Sequence, residues 1–308
     1  YTSGPASLTV GNRNSLATGG YIGYKSPDFN GLTFAVAAYG TYGFNIHDID
    51  ADAPGGGLSY DPSLYGAGFD NYAFIGQAYV NYKYNNTNIK AGRMRLDTPM
   101  AGADDARMLP NLFEAIVLSN TDIENTTLIG AHVFRETIGT FGNVYGAGGD
   151  LSLQSGYGLG LGLPGSASGS FENMGTIALG EAGIDGTANE TAGVSALAAI
   201  YTGVEGLKLQ AWDYIAWDIL NAIYLAGDYT IGVNDDAKVK LSAQYIYESE
   251  IGDQFAGKVD TSYIAGKITG IYGDFSAYFA YSTTGSNDDT VTNGGVITPW
   301  GGMPAYTQ

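Results

Sequence analysis

The sequence contains no cysteine among its 308 residues, carries little charge and has no long apolar run. The absence of cysteine excludes a disulfide scaffold and thiolate metal sites. The longest apolar stretch, residues 191–204, is too short for a transmembrane helix, which needs about 20 residues. Charged residues make up 14%, against a usual ~25%. Intrinsic disorder is nevertheless excluded, because 44% of the residues are hydrophobic and such a chain can bury surface.

The charge is strongly acidic and unevenly distributed. Lys and Arg number 13 and Asp and Glu number 31, which gives a net charge of −18. Such a balance argues against nucleic acid as a partner. No basic residue occurs between Arg135 and Lys208, although this stretch carries several acids. A solvated surface normally intersperses charges of both signs, so this segregation is unusual.

Alternation with a period of two residues dominates the sequence, and residues 71–84 show it best. The even positions are apolar, with aromatic residues at both ends: Tyr72, Phe74, Gly76, Ala78, Val80, Tyr82 and Tyr84. The odd positions include Asn71, Gln77, Asn81 and Lys83. From Tyr72 to Tyr82 a strand extends about 33 Å, or about 25 Å in height when tilted by ~40°. This matches the apolar band of a membrane barrel between its aromatic girdles.

The same pattern recurs in the second half of the chain. Residues 237–247 place Leu241, Ala243 and Tyr245 opposite polar residues such as Lys240 and Gln244. Residues 206–214 and 274–282 alternate in the same way. We expect the apolar parity of these strands to face lipid and the other parity to face a watery lumen.

Short turns alternate with long connections along the chain. Short turns are predicted at 26–30, 85–87, 122–126, 204–206, 232–236 and 270–273. Long connections are predicted at 41–70, 97–111, within 138–190, at 248–259 and from 283 onwards. Outer-membrane barrels have this asymmetry, with short periplasmic turns and long outer loops. The sequence therefore predicts an all-β protein, a transmembrane antiparallel β-barrel.

About 12 to 14 strands can be counted, two of them hidden within residues 143–180. The last clear strand leads into a polar tail, and an open sheet edge cannot stand in hydrocarbon. Residues 1–308 are therefore expected to form one incomplete barrel domain, a fragment that needs an odd number of further strands for closure.

Two motifs carry a resemblance to a known family. They are Ala91-Gly92-Arg93-Met94-Arg95-Leu96-Asp97-Thr98-Pro99 and the stretch from Asp104-Asp105-Ala106-Arg107 to Phe113-Glu114. This pattern resembles the OprD-type outer-membrane porins, in particular the Opr-like major porins of Campylobacterota. The segment from Gly301 to Gln308 is also similar to a mid-chain segment of those porins.

The resemblance implies an 18-stranded barrel in the outer membrane of a Gram-negative bacterium. It implies a homotrimer, surrounded by lipid and lipopolysaccharide, with a loop at about 97–112 folded inward to narrow the pore. It further implies passive uptake of ions and small hydrophilic solutes, with no enzymatic activity and no cofactor.

The candidate constriction residues are the charges of this region: Arg93, Arg95, Asp97, Asp104, Asp105, Arg107 and Glu114. Arg facing lipid at the bilayer midplane costs ~2–4 kcal/mol, so Arg93 and Arg95 are expected to face the lumen. Opposed carboxylates and guanidinium groups across a pore would sort solutes by charge. The carboxylates slightly outnumber the guanidinium groups, which predicts a mild cation preference. In the alternative interpretation Arg107 and Glu114 only anchor the loop to the wall by a salt bridge. The alternative to the cation preference is a non-selective pore, in which the net charge serves only solubility.

Other candidate chemistry is weak. Asp48, Asp50 and Asp52 alternate as in a calcium loop, but the glycine and the terminal glutamate of such a loop are missing; a solvated acidic loop is the alternative. The G-x-G-x-x-G match at 160–165 precedes no predicted helix. His47 and His132 lack ligand spacing, and a lipid-facing hydrolase would need a Ser–His pair for which no motif exists. The function alternative to a porin is a surface adhesin whose acidic outer loops bind while the barrel anchors them.

Overall fold

One antiparallel sheet organises the part of the chain that the structure describes. The computed structural model describes residues 15–44, 64–66, 71–103, 107–144, 168–180, 189–234 and 236–306. The sheet has 13 strands, and 12 of them follow one another as neighbours in chain order, while the short β7 pairs beside β6. Among the described residues no helix is both long and apolar enough to cross a membrane.

The strands are mostly nine residues or longer. Their bounds are β1 Ala17–Lys25, β2 Leu32–Gly43, β3 Tyr72–Tyr84, β4 Thr87–Met94, β5 Leu112–Asn120, β6 Thr126–Thr137, β7 Glu172–Asn173, β8 Val194–Tyr201, β9 Leu207–Ala216, β10 Leu220–Gly232, β11 Ala237–Glu250, β12 Asp260–Tyr272 and β13 Phe275–Thr284. One short helix, α1, spans Met174–Leu179, and a 3-10 turn spans Thr140–Val144. The predicted class and strand number are confirmed, and β7 lies in the window where hidden strands were expected.

One end of the sheet carries the short turns that the sequence predicts. Asn30, Asn85 and Asn125 adopt positive φ values of 55°, 50° and 56° in three of these turns, a conformation that asparagine tolerates. In the turn before β6, hydrogen bonds from the Asn120 and Asn86 side chains lower the pKa of Asp122. The opposite end carries the long connections, with one exception: residues 217–219 join β9 to β10 directly.

The two faces of the sheet differ as expected in most strands. On β11 the side chains of Leu241, Tyr245 and Tyr247 are exposed on one face, whereas Gln244 and Ile246 are buried on the other. Strands β9, β10 and β12 alternate in the same way. The exposed face is apolar and faces outward, since lipid is its natural solvent.

Strand β3 breaks the predicted alternation. Its register with β2 shifts where Gln77 pairs with Ala37 and Ile75 pairs with Ala38, which leaves Gly76 as a bulge. A bulge adds one residue to a strand and so reverses the facing of every residue beyond it. Val80, Tyr82 and Tyr84 are outward as predicted. The prediction was wrong for Tyr72 and Phe74, which pack inward with Tyr39 and Leu112.

The bulge can be tested by cysteine labelling. The simple alternation places Ile75 and Gln77 on the same, water-facing parity, whereas the bulge places Ile75 outward and Gln77 inward. We expect a hydrophilic, pore-permeant thiol reagent to label Gln77→Cys and to leave Ile75→Cys unlabelled in outer membranes. Val80→Cys serves as the outward control, and equal labelling at positions 75 and 77 would contradict the bulge.

An apolar core fills the inner side of the sheet toward the long-loop end. It combines Met94 and Phe113 of the wall with Met100 of the β4–β5 loop, Met174 and Ile177 of α1, and Ile297 and Trp300 of the segment after β13. All these side chains are less than 5% exposed. The sequence predicts a polar tail after β13, whereas the structure packs the residues that follow this strand into the core.

Candidate pore interior

The loop between β4 and β5 begins with a tight turn that leaves the wall. The Thr98 N–H donates to the carbonyl of Ala101 at 2.9 Å, and the Ala101 N–H donates to the Thr98 hydroxyl at 3.2 Å. Asp97 accepts a hydrogen bond from the Ala103 N–H at 3.4 Å. The turn thereby directs Met100, which is fully buried, into the inner core.

The side chain of Asn111 fixes the base of this loop. Its amide donates to the carbonyl of Gly102 at 3.1 Å, and its oxygen accepts from the Gly139 N–H at 2.6 Å. Thr140 adds a backbone bond to the Leu109 carbonyl at 3.0 Å. Asn111 is 1% exposed, so these bonds are shielded from water and join the loop to the β6 end of the wall.

The segment at residues 296–306, which we name the inner segment, covers the loop turn. The Gly102 N–H donates to the Trp300 carbonyl at 3.0 Å, and the Trp300 indole N–H donates to the Met174 carbonyl at 3.0 Å. Gly301 has φ 73°, and a Cβ there would lie 2.6 Å from the Gly102 oxygen. The close approach of the two backbones therefore requires glycine at this position.

The inner segment continues along the inward face of β11. The carboxylate of Glu248 accepts from the Ile297 N–H at 2.9 Å. The Gln244 amide donates to the Pro304 carbonyl at 2.5 Å, while its oxygen accepts from the Tyr306 N–H at 2.9 Å. Burial raises the pKa of Tyr306 to about 12, and the charge of Asp228 contributes to the rise. Tyr306 therefore stays a neutral hydroxyl at physiological pH.

The predicted constriction charges separate into distinct groups. Arg95 and Asp97 form an ion pair at 3.1 Å, with side chains 42% and 64% exposed. Arg107 lies over the ring of Phe141 at 5.4 Å. Asp104 and Asp105 fall outside the described residues. Of the seven predicted charges, only Arg95, Asp97 and Arg107 are thus placed on the loop itself by the described residues.

Arg93 and Glu114 belong to the wall. Their ion pair spans 2.8 Å between Arg93 Nε and Glu114 Oε1, and the two residues are direct cross-strand partners. The Arg93 guanidinium also donates to the Ile75 carbonyl at 3.2 Å and lies 4.1 Å from the centre of the Phe171 ring. The sequence predicts that Arg93 faces the lumen. In the structure Arg93 lies four residues after Ile89 on β4 and so shares the face on which Ile89 is exposed. A contribution of this pair to the constriction stays a prediction.

Lysines line the inward face near the short turns. Seven lysines share the strand parity of the inward residues: Lys25, Lys83, Lys90, Lys208, Lys238, Lys240 and Lys267. Lys240 pairs with Asp228 at 3.0 Å, Lys90 lies 4.1 Å from the centre of the Tyr79 ring, and Lys267 lies 4.2 Å from that of Tyr278. This half of the inner wall is therefore basic, although the chain as a whole is acidic.

His132 has a partner that sequence reasoning missed. Its Nδ1 lies 2.9 Å from the Ser195 hydroxyl, which also accepts from the Trp217 indole N–H at 3.0 Å. The parity of β6 and β8 was the available signal, because it places both side chains on the outward face. Within the described residues no group of three metal-ligating side chains occurs, and the calcium candidates Asp48, Asp50 and Asp52 lie outside that part of the chain.

The first part of the wall and the β4–β5 loop match a known protein family. Residues 12–139 match the outer membrane porin family OprD; this stretch contains both motifs around the β4–β5 loop. This part of the chain is therefore similar to the OprD-type porins. Porins of the OprD type are proteins of the Gram-negative outer membrane, which agrees with the predicted location. No curated protein sequence matches the chain.

Solved structures share the fold of this chain. Pseudomonas aeruginosa OccD3 (OpdP) is 17% identical, with a TM-score of 0.63, and the match covers 89% of this chain and 53% of that one. P. aeruginosa OpdK, solved with vanillate, is 15% identical, with a TM-score of 0.67 and coverages of 89% and 62%. P. aeruginosa OccK2 (OpdF), in complex with glucuronate, is 16% identical, with a TM-score of 0.59 and coverages of 83% and 54%. The chain thus spans between half and two thirds of the length of these proteins.

Proposed function

We propose that this protein forms a water-filled channel for passive diffusion of ions and small hydrophilic solutes, and that it is not an enzyme. The observation that carries the proposal is the division of the wall into two faces. Exposed apolar residues such as Leu241 and Ile264 occupy the outward positions, and lysines, Asp228 and Gln244 occupy the inward ones. A polar inner face is needed only where water and solutes pass.

The loop at 97–112 and the inner segment are proposed to form the narrow zone together. Both lie on the inward side of the sheet and are hydrogen-bonded to each other through Gly102 and Trp300. Single-channel recording in planar bilayers tests the channel itself. Open conductance steps support a porin, whereas a protein that only anchors an adhesive surface gives no steps.

Within this proposal, the channel has a mild cation preference. Glu114 and Asp97 form ion pairs with Arg93 and Arg95. The other charges that the sequence predicts for the loop are Asp104 and Asp105 against Arg107. The inward lysines oppose this surplus of negative charge, which keeps the preference small. Exposed charges act over about 8 Å at physiological salt, so the narrow zone contributes more than the outer loops.

Reversal potentials under a KCl gradient provide the test. We expect a small cation-selective potential for the protein, a decrease for Asp104→Asn with Asp105→Asn, and an increase for Lys90→Gln with Lys267→Gln. The exposed loop change Lys258→Gln is the matched control and should leave the potential unchanged. An anion-selective potential in the unmodified protein contradicts the proposed preference.

A second candidate function is the uptake of small organic anions. The inward lysines favour it, and two of the matched proteins were solved with vanillate and glucuronate, both of which are carboxylates. Proteoliposomes would decide between the two candidates: the anion function expects glucuronate to enter faster than an uncharged sugar of similar size, and Lys90→Gln with Lys267→Gln to remove the difference.

The homotrimer is a separate proposal. Cross-linking in intact outer membranes tests it. A dominant product of three chains supports a trimer, whereas the absence of any cross-linked product supports a single barrel.

A further inference from the structure

Within the described residues, a row of charged side chains lies at outward positions near the long-loop end of the wall. Arg93, Glu114 and Arg135 are direct cross-strand partners on β4, β5 and β6. Glu114 pairs with Arg93. The Arg135 side chain is exposed, and its guanidinium group has no ion pair or hydrogen bond with any residue that the structure describes. The row therefore presents one open guanidinium group outward.

The height of Arg135 places it at the edge of the membrane. It lies about 30 Å along β6 from the short turn, or about 23 Å in height at a tilt of ~40°. The apolar band of such barrels is about 25 Å tall, so Arg135 lies at its outer rim. Phe134 and Trp217, 41% and 42% exposed, lie on the same rim and serve as its aromatic girdle.

His132 supplies a second donor below Arg135. Both residues are outward, and their partners on β5, Ile116 and Glu114, are consecutive outward positions. The Trp217 indole is only a donor, so the Ser195 hydroxyl accepts from it and can give its own proton to His132 Nδ1. The other imidazole nitrogen, Nε2, then carries a proton and is available to a ligand. The His132 ring is held edge-on against Phe134, with centroids 4.5 Å apart.

We propose that Arg135 and His132 bind a phosphate group of lipopolysaccharide in the outer leaflet. Guanidinium groups bind phosphate through two parallel hydrogen bonds, and a headgroup phosphate lies at the height of this rim. Acyl chains of the same lipid would contact the exposed apolar side chains of the neighbouring strands, such as Leu128 and Leu197. The proposal rests on the outer-membrane location of the barrel and is independent of solute transport.

Lipid binding to the detergent-purified protein tests the site. Native mass spectrometry would compare lipid A with lipid A whose phosphates have been removed. We expect phosphorylated lipid A to be preferred, and Arg135→Gln to lower its affinity about tenfold while leaving that of the dephosphorylated form unchanged. His132→Ala should cause a smaller loss in the same direction.

Matched variants and competition make the result decisive. Lys258→Gln removes an exposed cation from the β11–β12 loop and should not change lipid binding. Arg135→Lys keeps the charge without the planar fork and should give an intermediate affinity, which keeps the test valid if Arg135→Gln folds poorly. Displacement of lipid A by millimolar inorganic phosphate would overturn the lipid assignment. Equal losses in Arg135→Gln and Lys258→Gln, or no loss in either, would overturn the site.

Discussion

Replacing Trp300 by alanine is expected to detach the inner segment and to increase single-channel conductance about twofold or more, because a hydrophobic constriction governs conduction. Trp300 is 1% exposed and donates to the Met174 carbonyl. Truncation of such a side chain costs about 3–5 kcal/mol, which exceeds the contribution of the few hydrogen bonds that remain between the segment and the loop. Planar-bilayer recording measures the change directly.

Met303→Ala is the matched control, since this side chain belongs to the same segment but is 55% exposed. Its conductance should equal that of the unmodified protein. If Trp300→Ala leaves conductance unchanged while the barrel stays folded, the inner segment does not limit the pore. If both variants raise conductance equally, the effect is not due to the packing of Trp300.

Replacing Gly92 by alanine is expected to prevent correct pairing of β3 with β4. Gly92 has φ 122°, and a Cβ there would overlap the Ala78 carbonyl oxygen and lie 2.9 Å from the Cα of Tyr79. The unfavourable φ alone costs about 1–3 kcal/mol, and neither backbone group can move without breaking the ladder. The measurement is the fraction of folded, heat-modifiable protein in the outer membrane.

Gly270→Ala provides the comparison, because nothing lies within 4 Å of a Cβ at that position. Its folded fraction should match that of the unmodified protein. Normal folding of Gly92→Ala would show that the β3–β4 ladder can relax around a methyl group. Steric overlap would then fail as the reason for glycine in the Gly-Arg motif.

Local alternation was sufficient to predict the regular strands. In β9, β11 and β12 every residue keeps its parity, so exposed residues such as Leu209 and Ile268 could be assigned from sequence. The prediction for β3 was wrong at Tyr72 and Phe74, because a bulge residue does not visibly interrupt the alternation of apolar and polar residues in the sequence. Gly76 was the only available signal, since an interior glycine often marks a bulge. A Cβ there would lie 2.5 Å from side-chain atoms of both Leu112 and Tyr39.

The candidate site was less accessible to sequence reasoning, because its contacts join distant parts of the chain. The motif identified the β4–β5 loop, but the partners of its charges depend on register: Glu114 pairs with Arg93 across strands, while Arg95 pairs locally with Asp97. Nothing near Trp300 in sequence indicates that it contacts Ala101 and Met174. Burial of an aromatic residue in a polar tail becomes visible only in three dimensions.

The contact between Gly102 and Trp300 also has a consequence for folding kinetics. The two residues lie far apart in the chain, so the contact forms only after the intervening strands have been aligned, and loop closure over such a span is slow. We expect it to be absent from the transition state for strand pairing. Variants at Trp300 should therefore accelerate unfolding and leave the rate of barrel formation unchanged.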